Sequence, residues 1–335
     1  MGNKRVAVTG ASGHIGANLV RELLGRGYRV VALVRQSSSA LEGLDVVKVK
    51  GDIQDPVSLL RAFDGAEQVY HLAAHISIES GDKEKLQRIY VDGTRHVIEA
   101  CQSTGVNTLI HFSSIHALEL EPLEQPVSED SPLLGEQTGR GGDYDYSKAQ
   151  ADRLVRQNHS ETLGTRIIYP TAVLGPNDFR LSLFGQAIIK MATGRLPALV
   201  AGGFDWVDAR DVAWGAVEAA EKGSDKDRFL LSGHYLSMSE VAAVVAELTG
   251  IPAPALTCPV WLAAWFAPLM SGWSRLTGQA PLYTRDSLAA LSSNMVMSHQ
   301  RATAELGYAP RPFRCSAEDA IRFYIDKKHI DNDIT

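Results

Sequence analysis

The sequence predicts an α/β protein that consists of a doubly wound parallel sheet and a smaller, mainly helical C-terminal lobe. Two observations support this prediction. Short runs rich in β-branched residues alternate with helical patterns through the first half of the chain, which is typical of βαβ units. A glycine-rich turn at residues 9–16 directly follows the first of these runs and opens the first helical pattern.

The predicted strands span Arg5 to Val8, Arg29 to Val34, Val46 to Val49, Gln68 to Leu72, Thr108 to Phe112 and Thr165 to Tyr169. Between the first two strands, apolar residues recur at helical spacing, and Gly25 and Gly27 end that helix. Parallel strands joined by helices require right-handed crossovers. We therefore expect a Rossmann-type doubly wound sheet.

The simple alternation stops after about residue 175. An apolar, helix-like stretch lies at 183–191, and residues 251–281 are rich in Trp and Pro. We therefore predict a sheet domain at 1–175, to which residues 204–235 return. Residues 176–203 and 236–335 then form the second lobe.

One segment of this lobe, 259–270, is strongly apolar and aromatic. It is shorter than the roughly 20 residues that a membrane span needs, and Pro268 interrupts it. We expect a helix that is buried against the domain or that covers a pocket. Contact of the Trp-rich stretch 259–273 with a membrane surface or a hydrophobic partner is the alternative, which the length argument disfavours.

Composition restricts the partners and the compartment. The 335 residues are 45% hydrophobic and carry a formal net charge of −6, without a run of Lys or Arg, so nucleic-acid binding is disfavoured. The three cysteines are widely spaced and form no CxxC pattern, which predicts neither a disulfide framework nor a metal site. No apolar N-terminal stretch could serve as a signal peptide, so we expect a cytoplasmic location.

The glycine-rich turn reads Thr9-Gly10-Ala11-Ser12-Gly13-His14-Ile15-Gly16. Glycine suits such a turn because the backbone bends sharply, a diphosphate approaches closely and the helix packs tightly on the strand. The N-terminus of the helix then receives the negative charge. This context predicts a dinucleotide cofactor in contact with Thr9, Gly10, Ser12, Gly13, His14, Ile15 and Gly16.

The residue at the end of the second strand selects the cofactor. A carboxylate there holds the ribose hydroxyls of NAD, whereas an Arg accommodates the 2′-phosphate of NADP. The residue is Arg35, it is followed by Gln36 and three serines, and the carboxylate is missing. The sequence therefore favours NADP(H) over NAD(H), although an Arg on a solvated surface would look the same.

Two further segments follow predicted strands. Asp52 and Ile53 come after the third strand, and Leu72, Ala73 and Ala74 come after the fourth. Ligands bind at the carboxyl ends of strands in open α/β sheets. We expect both segments to contact the cofactor, since the small residues at 73 and 74 would let the backbone approach it.

A set of motifs lies within about residues 4–215: the glycine turn, Gly51-Asp52, His71-Leu72-Ala73-Ala74, Phe112-Ser113-Ser114, Tyr144-x-x-Ser147-Lys148 and Asp208-Ala209-Arg210-Asp211-Val212-Ala213. Together these motifs resemble those of the extended short-chain dehydrogenases/reductases. Within that superfamily the chain is most similar to dihydroflavonol reductases and hydroxysteroid dehydrogenases. It implies a Rossmann-type fold and NAD(P)-dependent chemistry, with the second lobe binding the substrate.

Carbonyl reduction explains why three of these residues are needed. A Tyr hydroxyl is too weak an acid to transfer a proton unaided near neutral pH, and a nearby Lys cation lowers its pKa. Tyr144 and Lys148 have i, i+4 spacing, which places both on one helix face. Ser114 can then hydrogen-bond the substrate oxygen. We expect these three to be the catalytic residues, with Tyr144 and Lys148 also contacting the cofactor.

The chain departs from the superfamily pattern at two positions. Tyr90 stands where the superfamily usually has Asn, and Tyr169 stands where an Arg commonly precedes the proline. By resemblance, Pro170 and Val173 flank the nicotinamide, although either could be a core residue.

His75 and His116 border the expected site and are candidate substrate contacts, and Trp261, Trp265 and Trp273 suggest an apolar substrate. Three functions stay open. The first is an NADPH-dependent reductase of a ketone or aldehyde. The second is an NAD-dependent nucleotide-sugar epimerase or dehydratase, and the third is a cofactor-binding protein without catalysis. A homodimer is compatible with the sequence.

Overall fold

The computed structural model describes residues 4–74, 83–123, 125–135, 141–224, 227–263, 265, 291 and 296–331. Seven parallel strands form the main sheet. They are β1 (Arg5–Thr9), β2 (Arg29–Val34), β3 (Val46–Lys50), β4 (Gln68–His71), β5 (Thr108–Phe112), β6 (Gly164–Pro170) and β10 (Arg228–Leu231). The predicted fold class is therefore confirmed.

The strand order is β10-β6-β5-β4-β1-β2-β3, so the winding direction reverses between β1 and β4. In register, Thr9 of β1 lies beside Leu33 of β2 on one side and His71 of β4 on the other. An open α/β sheet binds its ligand in the crevice at such a reversal, outside the carboxyl ends of the strands. The glycine-rich turn starts at this point.

Helices cover both faces of the sheet. On one face α1 (His14–Gly25) packs against α7 (Ala209–Lys222). The other face carries α2 (Pro56–Phe63), α4 (Gly93–Thr104) and α5 (Asp143–Gln157). A short helix α3 (Lys83–Leu86) continues through a π-helical segment, Gln87–Asp92, into α4. Each face has its own apolar cluster of buried side chains.

A third apolar cluster lies between the remaining elements. These are β7 (Ala172–Leu174), α6 (Leu183–Ala192), β8 (Leu199–Val200), β9 (Gly203–Asp208), β11 (His234–Ser237), α8 (Met238–Thr249), β12 (Thr257–Cys258) and α9 (Phe313–Asp326). Of the stretch 204–235, β10 joins the main sheet, whereas β9 pairs with β7 and β11 in a small sheet of its own.

The apolar segment after β12 packs by its aliphatic residues. Val260 and Ala263 contact the third cluster, but the side chains of Trp261 and Trp265 are 67% and 81% exposed. The expectation of a buried helix is therefore wrong at these two tryptophans, and Trp273 lies outside the described residues. Among the residues that the structure describes, no helix is long and apolar enough to cross a membrane.

Candidate active site

The glycine-rich turn packs directly on the end of β4. Gly10 has a φ of +73°, and a Cβ at this position would lie 2.6 Å from the carbonyl carbon of Leu72 and 2.7 Å from the amide nitrogen of Ala73. Glycine is the residue that adopts this backbone conformation without strain. The close contact between the turn and β4 is therefore possible because glycine has no side chain.

The start of α1 fits an anionic ligand such as the diphosphate of NAD(P). Gly13 is the N-cap and makes no side-chain capping bond, and the first turn holds no acidic residue. The first N–H groups of the helix can therefore donate to a ligand. The ring Nε2 of His14 lies 3.1 Å from the carbonyl oxygens of Gly175 and Pro176. Because the His14 side chain is engaged there, we expect its backbone to make the cofactor contact.

The buried side chain of His71 links the glycine turn to α4 on the opposite face of the sheet. The sequence did not indicate this contact. Thr9 Oγ1 lies 2.8 Å from Nδ1 of His71 and accepts a hydrogen bond from the amide of Ala73. On the other side of the ring, Nε2 lies 3.1 Å from Oγ1 of Thr94 in α4. Burial and the charge of Lys148 lower the pKa of His71 to about 3, so the ring is neutral.

The other predicted cofactor contacts follow strands of the main sheet. Arg35 follows β2 with an exposed side chain, and Asp52 follows β3 and accepts from the amide of Gln54 at 3.0 Å. The Ile53 side chain is buried near Gly93. Of these, Arg35 is the residue whose charged group is open to a ligand, because Asp52 caps its own turn and Ile53 contributes to the core.

Ser114, Tyr144 and Lys148 come together at the carboxyl end of β5. Lys148 Nζ donates to the carbonyl oxygen of Phe112, the last residue of β5, at 3.1 Å. Ser114 caps a short 3-10 turn, Ile115–Ala117, and its hydroxyl interacts with the phenol of Tyr144. Because β5 pairs with β4, and β4 pairs with β1 so that Thr9 lies beside His71, the trio and the glycine turn lie at the same edge of the sheet, two strands apart.

Tyr90 supports this trio from the π-helical segment. Its ring is buried, with Lys148 Nζ 4.7 Å from the ring centroid, a distance at which a cation is attracted to the aromatic face. The same ring meets Tyr144 edge-on, with the centroids 5.6 Å apart. The departure from the superfamily pattern at this position thus puts an aromatic face, rather than an amide, beside the ammonium group.

Burial shifts the pKa values of the two titratable residues in opposite directions. The pKa of Tyr144 is raised to about 12, because desolvation of the phenolate outweighs the opposing hydrogen bond with Ser114. This differs from the expectation that Lys148 lowers it, since the ammonium group is held by Phe112 and Tyr90. The pKa of Lys148 itself is lowered to about 8 by burial, which a neighbouring carboxylate, Asp152, partly offsets.

A buried polar network anchors α5 to the sheet. The hydroxyl of Tyr169, in β6, donates to Oδ2 of Asp152 at 2.5 Å, and Arg156 donates to both residues. Asp152 and Arg156 belong to α5, which also carries Tyr144 and Lys148 of the predicted catalytic trio, and Tyr169 belongs to β6. Tyr169, the second departure from the superfamily pattern, therefore fixes the helix that carries Tyr144 and Lys148.

The remaining predicted residues are His116, Pro170, Val173 and His75. The ring of His116 lies 6.0 Å from that of Tyr144, its Nδ1 is 3.3 Å from a carboxylate oxygen of Asp145, and its side chain is 34% exposed. Pro170 is the buried last residue of β6, and Val173 is half-buried in β7. His75 lies outside the described residues.

One residue near the cofactor turn escaped the sequence analysis. Arg180, in the loop before α6, donates from Nη2 to Oγ of Ser12 at 2.6 Å. Its sequence neighbourhood has no motif that would have indicated a contact with the turn, because 168 positions separate the two residues.

Known proteins resemble the chain over nearly its whole length. The model of the NAD-dependent epimerase/dehydratase family matches residues 6–231. Sterol demethylase protein B of Methylococcus capsulatus is 36% identical over 328 residues, which cover 96% of this chain and 98% of that protein. A putative dihydroflavonol 4-reductase of Synechocystis sp. is 31% identical over 95% of this chain and 93% of that protein. The crystal structure of gox2253 superposes with a TM-score of 0.84 at 32% identity, covering 98% of this chain and 100% of that one.

Proposed function

Because the chain belongs to the NAD-dependent epimerase/dehydratase family, and is thus an NAD(P)-dependent enzyme of the short-chain dehydrogenase/reductase type, we propose that it reduces a ketone or aldehyde to an alcohol with NADPH. The observation that carries the proposal is the convergence of Ser114, Tyr144 and Lys148 at the carboxyl end of β5, beside the glycine turn.

The proposed mechanism assigns the proton to Tyr144. When bound, the reduced nicotinamide supplies the hydride that adds to the carbonyl carbon. The hydroxyl of Ser114 donates a hydrogen bond to the carbonyl oxygen and stabilises its developing negative charge. Tyr144, whose pKa is raised to about 12, is protonated at neutral pH and gives its proton to that oxygen. We assign to the ammonium group of Lys148 a partial offset of the phenolate charge, which is smaller than the cost of desolvation, and the phenolate then regains a proton from solvent.

Arg35 supports NADP(H) as the cofactor. It occupies the end of β2, where a carboxylate would be needed to hold the 2′- and 3′-hydroxyls of NAD. Its side chain is exposed, and among the described residues it forms no ion pair. A guanidinium in this position matches a phosphate group in shape and charge.

The substrate class is inferred from the relatives. One relative is named for a sterol demethylase and another for a dihydroflavonol reductase; both names refer to bulky ring systems, and the sterol is largely apolar. We propose a carbonyl group on a bulky apolar small molecule as the substrate.

A nucleotide-sugar epimerase or dehydratase is the second candidate, since the matching family is described by those activities. Such enzymes usually retain NAD through their catalytic cycle, and Arg35 argues against this. A protein without catalysis is disfavoured by the intact trio.

The test uses NADPH and NADH with a panel of bulky aliphatic, steroidal and aromatic ketones and aldehydes, beside UDP-sugars. We expect carbonyl-dependent loss of NADPH absorbance in the wild type. The variant Tyr144→Phe should lose turnover by orders of magnitude while its NADPH affinity, measured by calorimetry, is retained. Tyr146→Phe, on the same helix, is the control and should keep its activity.

Wild-type turnover in Tyr144→Phe would refute the proposed catalytic role. Conversion of a UDP-sugar without net cofactor oxidation would favour the epimerase. Tight cofactor binding with no turnover of any compound would favour a cofactor-binding protein without catalysis.

A further inference from the structure

We propose that Arg180 is a second determinant of cofactor specificity, which joins Arg35 and Ser12 to form a subsite for the 2′-phosphate of NADP(H). This inference rests on the cofactor preference proposed above and adds a residue from a distant part of the chain. The three side chains come from three separate segments: the glycine turn, the end of β2, and the loop between β7 and α6.

The first argument is position. Arg180 Nη2 donates to Ser12 Oγ at 2.6 Å, which places the guanidinium over the glycine turn. Because β1 and β2 are paired with Thr9 beside Leu33, the turn after β1 and the residue Arg35 after β2 emerge next to each other. Arg180 therefore lies at the junction where the adenosine ribose of a dinucleotide is held.

The second argument is charge. Burial and the nearby guanidinium of Arg35 both lower the pKa of Arg180, so the two cations are close enough to repel each other. Within the part of the chain that the structure describes, neither arginine is paired with a carboxylate. Two like charges held together without a counter-ion are unfavourable, and a doubly charged phosphate between them would relieve the repulsion.

The third argument is the backbone that carries Arg180. Leu181 has a φ of +52°, a conformation that a bulky residue adopts only under constraint, and Asn177 has a φ of +66°, which asparagine tolerates better than most other residues. Asn177 Nδ2 donates to Oδ1 of Asn18 in α1 at 2.9 Å, and Asp178 accepts from the backbone amide and hydroxyl of Ser182. The loop is therefore held by side-chain hydrogen bonds on both sides of Arg180 and is strained at Leu181.

The side chain of Phe179, next to Arg180, also fixes the position of this loop. Phe179 packs edge-on against Phe323 of α9, with the centroids 5.1 Å apart, and its ring also contacts Arg21 of α1 at 5.5 Å and Lys327 at 5.1 Å. Arg21 in turn donates to the carbonyl of Ala40, beyond β2. These contacts fix the loop to α1 and α9, so Arg180 is presented to the turn with little freedom. A preorganised guanidinium loses less entropy when it binds a phosphate.

Arg180 could also reach the diphosphate, because Ser12 belongs to the turn that is expected to bind it. The test therefore uses ligands that separate the two phosphates. Adenosine 2′,5′-bisphosphate has the 2′-phosphate and 5′-AMP lacks it, and neither has the diphosphate. Calorimetry with both, and with NADP⁺ and NAD⁺, is carried out on the full chain and on the variants Arg180→Gln and Arg35→Gln.

We expect Arg180→Gln to lower the affinity for adenosine 2′,5′-bisphosphate and NADP⁺ by about 10-fold to 100-fold, the usual effect of losing a charge-assisted hydrogen bond. Its affinities for 5′-AMP and NAD⁺ should stay within about 3-fold of the wild-type values. Arg61→Gln is the control. Arg61 is an exposed arginine in the last turn of α2, which runs back to the opposite edge of the sheet, so its loss should change none of the four affinities.

Equal weakening of NADP⁺ and NAD⁺ in Arg180→Gln would overturn the inference and place Arg180 on the diphosphate. Unchanged affinities would overturn it as well. If Arg35→Gln lowers the affinity for adenosine 2′,5′-bisphosphate and Arg180→Gln does not, the role of Arg180 is refuted and the proposed cofactor preference stands. If the wild type binds NAD⁺ as tightly as NADP⁺ and Arg35→Gln has no effect, the proposed cofactor preference fails.

Discussion

Replacement of Tyr90 tests whether its aromatic face holds the charge of Lys148. The ammonium lies 4.7 Å from the ring centroid in a buried site, and its pKa is already lowered to about 8. A cation–π contact in desolvated surroundings contributes about 2 kcal/mol to the charged form. Since each pKa unit corresponds to about 1.36 kcal/mol, Tyr90→Leu should lower the pKa of Lys148 further, by about 1.5.

The sign of the effect on activity follows from the proposed role of the ammonium group. Carbonyl reduction needs Lys148 charged, so the rate is full below the pKa of Lys148 and falls as pH rises through it. Losing the aromatic face moves this decline to lower pH. The assay is kcat/KM for NADPH-dependent reduction between pH 5 and about 10, because this constant reports the pKa values of the free enzyme.

The matched control is Tyr90→Phe, which keeps the aromatic face and the edge contact with Tyr144, so its profile should follow the wild type. A simple packing defect in Tyr90→Leu would lower the rate at every pH without moving the decline. Superimposable pH profiles for Tyr90→Leu and the wild type would refute the reasoning. A shift of equal size in Tyr90→Phe would assign the effect to the hydroxyl instead.

Two further predictions concern the turn and the anchor of α5. Gly10→Ala should abolish measurable NADPH binding in calorimetry with an unchanged circular dichroism spectrum, since the new Cβ would lie 2.6 Å from the Leu72 backbone at a φ of +73°; Gly25→Ala, which meets nothing within 4 Å, should bind normally. Retained affinity in Gly10→Ala would contradict the close packing. Tyr169→Phe removes a hydrogen bond to the buried Asp152 carboxylate and should cost about 2 kcal/mol of unfolding free energy, or roughly 3 °C in Tm. Tyr146→Phe should melt like the wild type, and an equal Tm in all three proteins would show that the Asp152 network does not stabilise the fold.

Much of the fold follows from local patterns. The strands from β1 to β6 coincide with the predicted runs to within one residue at each end, because strands covered on both faces of a parallel sheet are rich in apolar residues. The edge strand β3, in which Val47 is 58% exposed, is recognised by its β-branched residues instead. The glycine turn is equally local, since it needs a particular backbone conformation over a few residues. The exposed faces of Trp261 and Trp265 were not predictable, because an apolar run does not show which of its side chains finds a partner.

By itself, the sequence determined which residues could do the chemistry. The i, i+4 spacing of Tyr144 and Lys148, the serine after β5 and the arginine after β2 are all visible in the linear chain. Only the tertiary structure decided what surrounds them: the ring of Tyr90 against the ammonium, the burial that raises rather than lowers the pKa of Tyr144, and Arg180 on the glycine turn. The reason is that spacing along one helix is set by backbone geometry, whereas burial and contacts between distant segments depend on how all the elements pack.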